Sequence, residues 1–210
     1  VSNVLIQSSI NSFGSIAVAG NTAASNIEGF VYTSMNSLYQ ASLSFTSQNV
    51  GARKVDRIVP VLVRCLGCVF VIGAGLSLLA YSLGSQLLGI YSSDPEVIQY
   101  GLGRMGVVFL TYYLCGMMDV TCGSIRGMGY SVTPTIVSLA GACGLRVLWI
   151  FTIFPMDRTL FNLYLSYPVS WGITFAAHLV CFIVFFRKWK KQLTAPESET
   201  TLSFEKERNP

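Results

Sequence analysis

The amino-acid sequence predicts an all-α, polytopic membrane protein built as a lobe of six helical segments, with the first truncated. Three observations lead there. Hydrophobic residues make up 52% of the 210 and charged residues only 11%, where a soluble domain carries roughly 25% charged residues. The charges are gathered into short loops and the C-terminal stretch, and between Val1 and Ala52 there is only Glu28. Apolar runs of about 20 residues, the length that crosses a bilayer, recur between turn signals. This composition excludes an ordinary soluble globule and a disordered chain. The net charge of +4 carries no nucleic-acid signal, because no basic stripe runs beside base-stacking aromatics. The expected partner is the lipid bilayer.

The first segment, 1–13, ends at Gly14-Ser15. It is too short to span, starts with valine and lacks the basic leader of a signal peptide. It reads as a helix whose start is missing, and the chain as a fragment of a longer protein. The second segment, 16–48, is about 48 Å long at ~1.5 Å per residue and projects beyond the hydrocarbon. The third covers 58–88, the fourth 97–125, the fifth 133–154 and the sixth 160–186. These five have spanning length. The transmembrane part is expected over 1–190, with a polar cytoplasmic tail over 191–210.

Loop charges set the orientation. Arg53, Lys54 and Arg57 follow the second segment, Arg126 ends the fourth, and Arg187, Lys188, Lys190 and Lys191 follow the sixth. The alternate loops show no such excess. Basic loops stay on the cytoplasmic side, which puts the C-terminal tail there. Ser92-Ser93-Asp94-Pro95-Glu96 reads as a helix start, with Ser93 or Asp94 as the cap and proline in the first turn. Its acids need no role in transport. Pro168 is expected to kink the sixth helix.

Polar groups inside the spans are the functional signal. Asn21, Ser25, Glu28, Tyr32, Asn36 and Tyr39 recur three and four apart, on one face of the second helix. Such a stripe must meet protein or water. Glu28 reads either as a cavity-lining acid that binds a cation or proton, or as an interfacial acid at the membrane edge. Asp119 in the fourth segment costs roughly 2.5–3.5 kcal/mol at the bilayer centre unless it is paired, protonated or near water. It reads as a coupling-ion site or as half of an internal pair with Arg126. Arg146 reads as paired with an acid across the bundle or as snorkelling, with pairing the favoured reading. Arg64 and Arg104 read as snorkelling or paired side chains. His178, the single histidine, lies midway in the sixth segment and reads as a structural group or as a proton relay, and without a second ligand it makes no metal site by itself. The six cysteines lie in apolar segments, and Cys65 and Cys68 lack the second pair that a zinc site needs. They read as packing residues, and no metal site or cofactor is expected.

Several stretches, taken together, resemble the multidrug and toxic compound extrusion (MATE) family of membrane exporters. They are Ser47-Gln48-Asn49-Val50-Gly51-Ala52-Arg53-Lys54, Leu88-Gly89-Ile90-Tyr91 with the following Ser-Ser-Asp-Pro-Glu, Gly123-Ser124-Ile125-Arg126-Gly127, Leu145-Arg146-Val147-Leu148-Trp149, and Tyr167-Pro168-Val169-Ser170-Trp171. Their order across nearly the whole chain is similar to that in the carboxy-terminal six-helix lobe of such a twelve-helix transporter. The resemblance implies a secondary active antiporter that exports organic cations or drugs across the cell membrane, driven by a sodium or proton gradient. It further implies an amino-terminal lobe as partner and alternating access about a central cavity. Asp119 matches an acid that some members carry ahead of the Arg-Gly turn. Those members carry a second acid early in the first helix of the lobe, and none occurs between Val1 and Ser15. The coupling-ion candidates are Asp119 and Glu28. The substrate-contact candidates are Tyr32, Met35, Asn36 and Tyr39, through stacking and cation–π attraction. Arg126 and Arg146 are the candidates for structural ion pairs. The alternatives are a lipid-linked oligosaccharide flippase, which needs a cationic groove, and a non-transporting bundle. A membrane enzyme would need a clustered nucleophile, base or metal site, and no such cluster is present in the sequence.

Overall fold

The computed structural model describes residues 2–194, whose regular secondary structure is all helical, with no strand among them. The expected tail over 191–210 lies largely outside the described residues. Among the described residues nine α-helices follow in order: α1 (Ser2–Asn11), α2 (Ser15–Gly51), α3 (Ile58–Ser82), α4 (Gly84–Gly89), α5 (Pro95–Val108), α6 (Tyr113–Gly127), α7 (Val132–Ser138), α8 (Leu145–Thr152) and α9 (Leu160–Thr194).

Each boundary has a local cause. Gly14 separates α1 from α2 at φ 96°, a conformation that glycine adopts without strain. Asp94 caps α5, its side chain accepting from Glu96 N at 2.9 Å, with Pro95 in the first turn. Gly129, at φ 94°, turns the chain after α6. The C-terminal helix runs through Pro168 to Thr194, beyond the expected end at Phe186.

Two spans that read as single helices are broken. The fourth divides into α5 and α6, bent by 42° about the 3-10 turn Phe109–Thr111. Thr111 Oγ1 donates to Val107 O at 2.8 Å and Val108 O at 3.2 Å, a side-chain-to-backbone bond that bends helices. The fifth holds a π-helical turn at Leu139–Gly144 between α7 and α8, a local unwinding that often marks functional sites. The third segment also ends earlier than expected, leaving α4 as a separate short helix.

Among the described residues, three helical stretches are long and apolar enough to cross a membrane: Val55–Ser82, Val132–Thr152 and Leu160–Lys191. The bent pair of α5 and α6 makes a fourth if it counts as one span. The second helix has ample length at 37 residues, but its polar stripe keeps it out of that set. It sits at the centre instead, packed against α6, α5 and α3, while α9 covers α6 and α5. The outer surface carries the residues that a lipid solvent would accept, among them Val71, Leu78, Phe151 and Val180.

Close packing at the centre depends on small residues. Met35 of α2 is 1% exposed and presses between Gly73 of α3 and Gly116 of α6. A Cβ on Gly127 would lie 2.7 Å from Thr46 Cβ and 2.8 Å from Leu43 O. Ser42 Oγ donates to Val120 O at 2.9 Å, and Thr46 and Ser124 share a hydroxyl hydrogen bond of 3.1 Å. These bonds join the second half of α2 directly to α6.

Candidate functional site

The first half of α2 is arranged differently. There the helices part around a cavity of about 540 Å³. Asn21, Ser25, Glu28 and Tyr32 of α2 form one wall, and Gln7 of α1 lies beside them. Cys115 and Asp119 of α6 form another wall, and Arg146 of α8 with Tyr167 and Trp171 of α9 closes the far side. The 42° bend between α5 and α6 lies in this region, with Arg104 and Tyr112 on either side of it. A second cavity, about 530 Å³, lies at the starts of α5 and α9 and has Glu96 as its charged residue. That acid follows the capping Asp94 of α5.

Two carboxylates and two guanidiniums share the main cavity. Arg104 is 4% exposed and reaches Glu28 Oε2 at 2.5 Å and Asn21 Oδ1 at 2.8 Å. Its guanidinium lies 5.3 Å from the centre of the Tyr167 ring and 5.6 Å from that of Tyr164. Arg146 is 8% exposed. Its Nε donates to Ser170 Oγ at 3.0 Å, and its guanidinium stands 4.2 Å from the Tyr167 ring centre and 5.5 Å from that of Trp171. Tyr167 is thus contacted by both cations, an arrangement that offsets part of their lost hydration. Asp119 is half-buried on the cavity wall and has no hydrogen-bond or ion-pair partner among the described residues.

The sequence candidates divide accordingly. The Asn21, Ser25, Glu28 and Tyr32 part of the stripe does line a cavity. Tyr39 lies further along, where its hydroxyl accepts from Arg126 Nη1 at 2.9 Å. Asn36 is half-buried outside the cavity lining. Met35 is a core residue, turned toward α3 and α6 and not toward the cavity. Arg126 binds Tyr39 and Thr135 Oγ1, the latter at 3.0 Å. Among the described residues no carboxylate comes within ion-pairing distance of Arg126 or Arg146. Hydroxyls and aromatic faces hold both, and the interior ion pair forms between Glu28 and Arg104 instead. Sequence spacing places both Glu28 and Arg104 inside helices, but it carries no signal that helices 76 residues apart bring them together. His178 is buried, with Nε2 3.0 Å from Ser138 Oγ just before the π-helical turn.

Comparison with known proteins bears on the family and the fold. The family model MatE matches residues 1–152. The "Probable multidrug resistance protein YoeA" of Bacillus subtilis is 22% identical over 193 residues, covering 91% of this chain and 41% of that protein. The crystal structure of the Vibrio cholerae MATE transporter VcmN in its bent form superposes with a TM-score of 0.80 at 16% identity. That match covers 90% of this chain and 43% of the other, so the chain spans about two-fifths of the length of both relatives.

Proposed function

The chain belongs to the MatE family of membrane transporters, and on that premise we propose that it is one lobe of a secondary active antiporter exporting organic cations or amphipathic drugs. The lobe sits in the cell membrane with its C-terminal end on the cytoplasmic side, following the loop charges. An amino-terminal lobe completes the central cavity, and rocking of the two lobes alternates access.

One observation supports this reading most strongly. Asp119 is a partly buried carboxylate with no hydrogen bond or contact ion pair among the described residues, on the wall of a cavity large enough for a small amphipathic molecule. A buried anion is costly without a counter-charge, so such a group has a strong preference for a proton, a sodium ion or the cationic end of a substrate. These three compete for one site, and competition is what couples ion entry to drug exit. Glu28 contributes differently. Arg104 already neutralises it, so it fixes the polarity of one wall instead of offering a free carboxylate. Tyr32 supplies a cation–π face beside Asp119. The mixed signs of the cavity favour this reading over a flippase, whose phosphate-bearing cargo needs a cationic groove.

Membrane vesicles carrying the complete natural protein should move ethidium when a proton or sodium gradient is imposed, and an ionophore that collapses the gradient should stop it. Ethidium movement that ignores the gradient would remove the antiport reading, and no movement at all would favour a non-transporting bundle.

A further inference from the structure

The fifth span carries more residues than a regular helix of its length needs. Pro134, Ser138, Ala142, Arg146 and Ile150 face inward, and an exposed row runs through Ile136, Ala140, Gly144 and Leu148, with steps of four in both sets. An α-helix repeats every ~3.6 residues, so a step of four held along the whole span drifts by more than one residue. The π-helical turn Leu139–Gly144, the one such turn among the described residues, takes up about one residue of that excess.

Both ends of the span are tied down. Before the turn, Thr135 Oγ1 accepts from Arg126 Nη2 at 3.0 Å, and Ser138 Oγ lies 3.0 Å from His178 Nε2. After it, Arg146 Nε donates to Ser170 Oγ at 3.0 Å and Trp149 Nε1 donates to Asn162 O at 3.1 Å. At the turn itself, a Cβ on Gly141 would overlap Thr174 Oγ1. Ser170, Thr174 and His178 follow at steps of four on α9 and are at most 1% exposed, so this chain by itself seals that face. Counted from Ser138 along an uninterrupted α-helix, Leu145 would face α9 and Arg146 would lie about 80° round. Contacts with α9 and α6 therefore hold the π register against the backbone's own preference for α.

We propose that this turn is the joint of a two-register switch in the fifth span. With the turn in place, Arg146 faces Ser170 and the cavity. When α8 lets go of α9, the span closes into a continuous α-helix, Arg146 moves to the cavity's edge and Leu145 takes its place on the wall. A rotation of about 80° keeps the long arginine stem within reach of water. Ala140, Gly141, Ala142 and Gly144 put no bulky side chain in the way, and residues 153–159, which form no helix, absorb the rotation. Packed contacts of this kind favour two discrete arrangements over gradual bending.

The switch goes beyond the exporter reading and is tested apart from it, because it is read as a distance without substrate or ion gradient. Nitroxide labels at Ile136→Cys and Leu148→Cys, positions 60% and 58% exposed, report the register by pulsed electron resonance in the complete natural protein with its own cysteines replaced. In the π register the labels share one side of the span. In a continuous α-helix they lie about 120° apart, which lengthens their separation by about 5 Å. The shorter distance should dominate in the otherwise unaltered protein. Trp149→Phe with Ser170→Ala releases α8 and should make the longer distance dominant, and Ser170→Ala alone should shift it less, with size-exclusion profiles matching the unaltered protein. Deleting the exposed Ala140 removes the spare residue, so the double variant carrying that deletion should keep the shorter distance. The proposal is overturned if the double variant keeps the distances of the unaltered span, if the deletion leaves the longer distance in place, or if the longer distance already dominates without any release of α8.

Discussion

The two halves of α2 carry similar polar residues and use them in opposite ways. From Tyr39 onward, each inward polar group meets α6 or its neighbour directly: Tyr39 with Arg126, Ser42 with Val120 O, Thr46 with Ser124. From Asn21 to Tyr32 the helices part, and the polar groups face a cavity and its two arginines. The difference lies in α6 and not in α2. Gly123 and Gly127 let the backbones touch at one end, whereas the bend at Phe109–Thr111 turns α5 and α6 apart at the other. A polar stripe therefore marks an inward face, and the partner helix decides whether that face becomes a seam or a cavity.

That contrast can be broken from either end. The largest expected effect is at the cavity, where Arg104→Gln strips the counter-charge from a buried acid. Loss of one member of such a pair costs about 3–5 kcal/mol, read as a lowered unfolding midpoint of the purified protein, and adding Glu28→Gln should recover most of it. If the single variant melts normally, the ion pair does not organise the cavity. Next comes the seam. Gly127→Val places methyl groups against Leu43 and Thr46, and overpacking of this kind costs about 1–3 kcal/mol. The control is Gly67→Ala on α3, where a Cβ would meet nothing within 4 Å, and it should melt like the unaltered protein. The smallest effect is Thr46→Val, which removes one interhelical hydroxyl bond worth about 0.6 kcal/mol in a membrane. A larger loss there would make hydrogen bonding, not glycine contact, the basis of the seam.

The sequence made parts of this arrangement legible because they depend on local rules. The three- and four-residue spacing from Asn21 to Tyr39 defines a helix face, and Asp94-Pro95-Glu96 defines a helix start, whatever the neighbours do. The Glu28–Arg104 pair and the seating of Arg146 against Ser170 and Tyr167 depend on how distant helices meet, and nothing in these segments encodes that. Met35 shows the limit most clearly. It lies one residue from Asn36 and three from Tyr32 on the sequence, yet the curvature of the helix surface turns it toward Gly73 and Gly116. The break between α5 and α6 was hidden for a related reason. Its apolar residues fit an unbroken helix, and the only local sign was Thr111, whose hydroxyl takes the backbone carbonyls of Val107 and Val108.

In the proposed exporter mechanism, Asp119 is the cavity carboxylate whose occupancy couples ions to substrate. Asp119→Asn keeps the shape of the side chain and removes its charge. In vesicles carrying equal amounts of folded complete protein, ion-driven ethidium efflux should fall by at least about tenfold, within the 10²–10⁴-fold range typical when a positioned proton-exchanging group is lost. Efflux by the asparagine variant at the unaltered rate, with the same dependence on the ion gradient, would contradict the account.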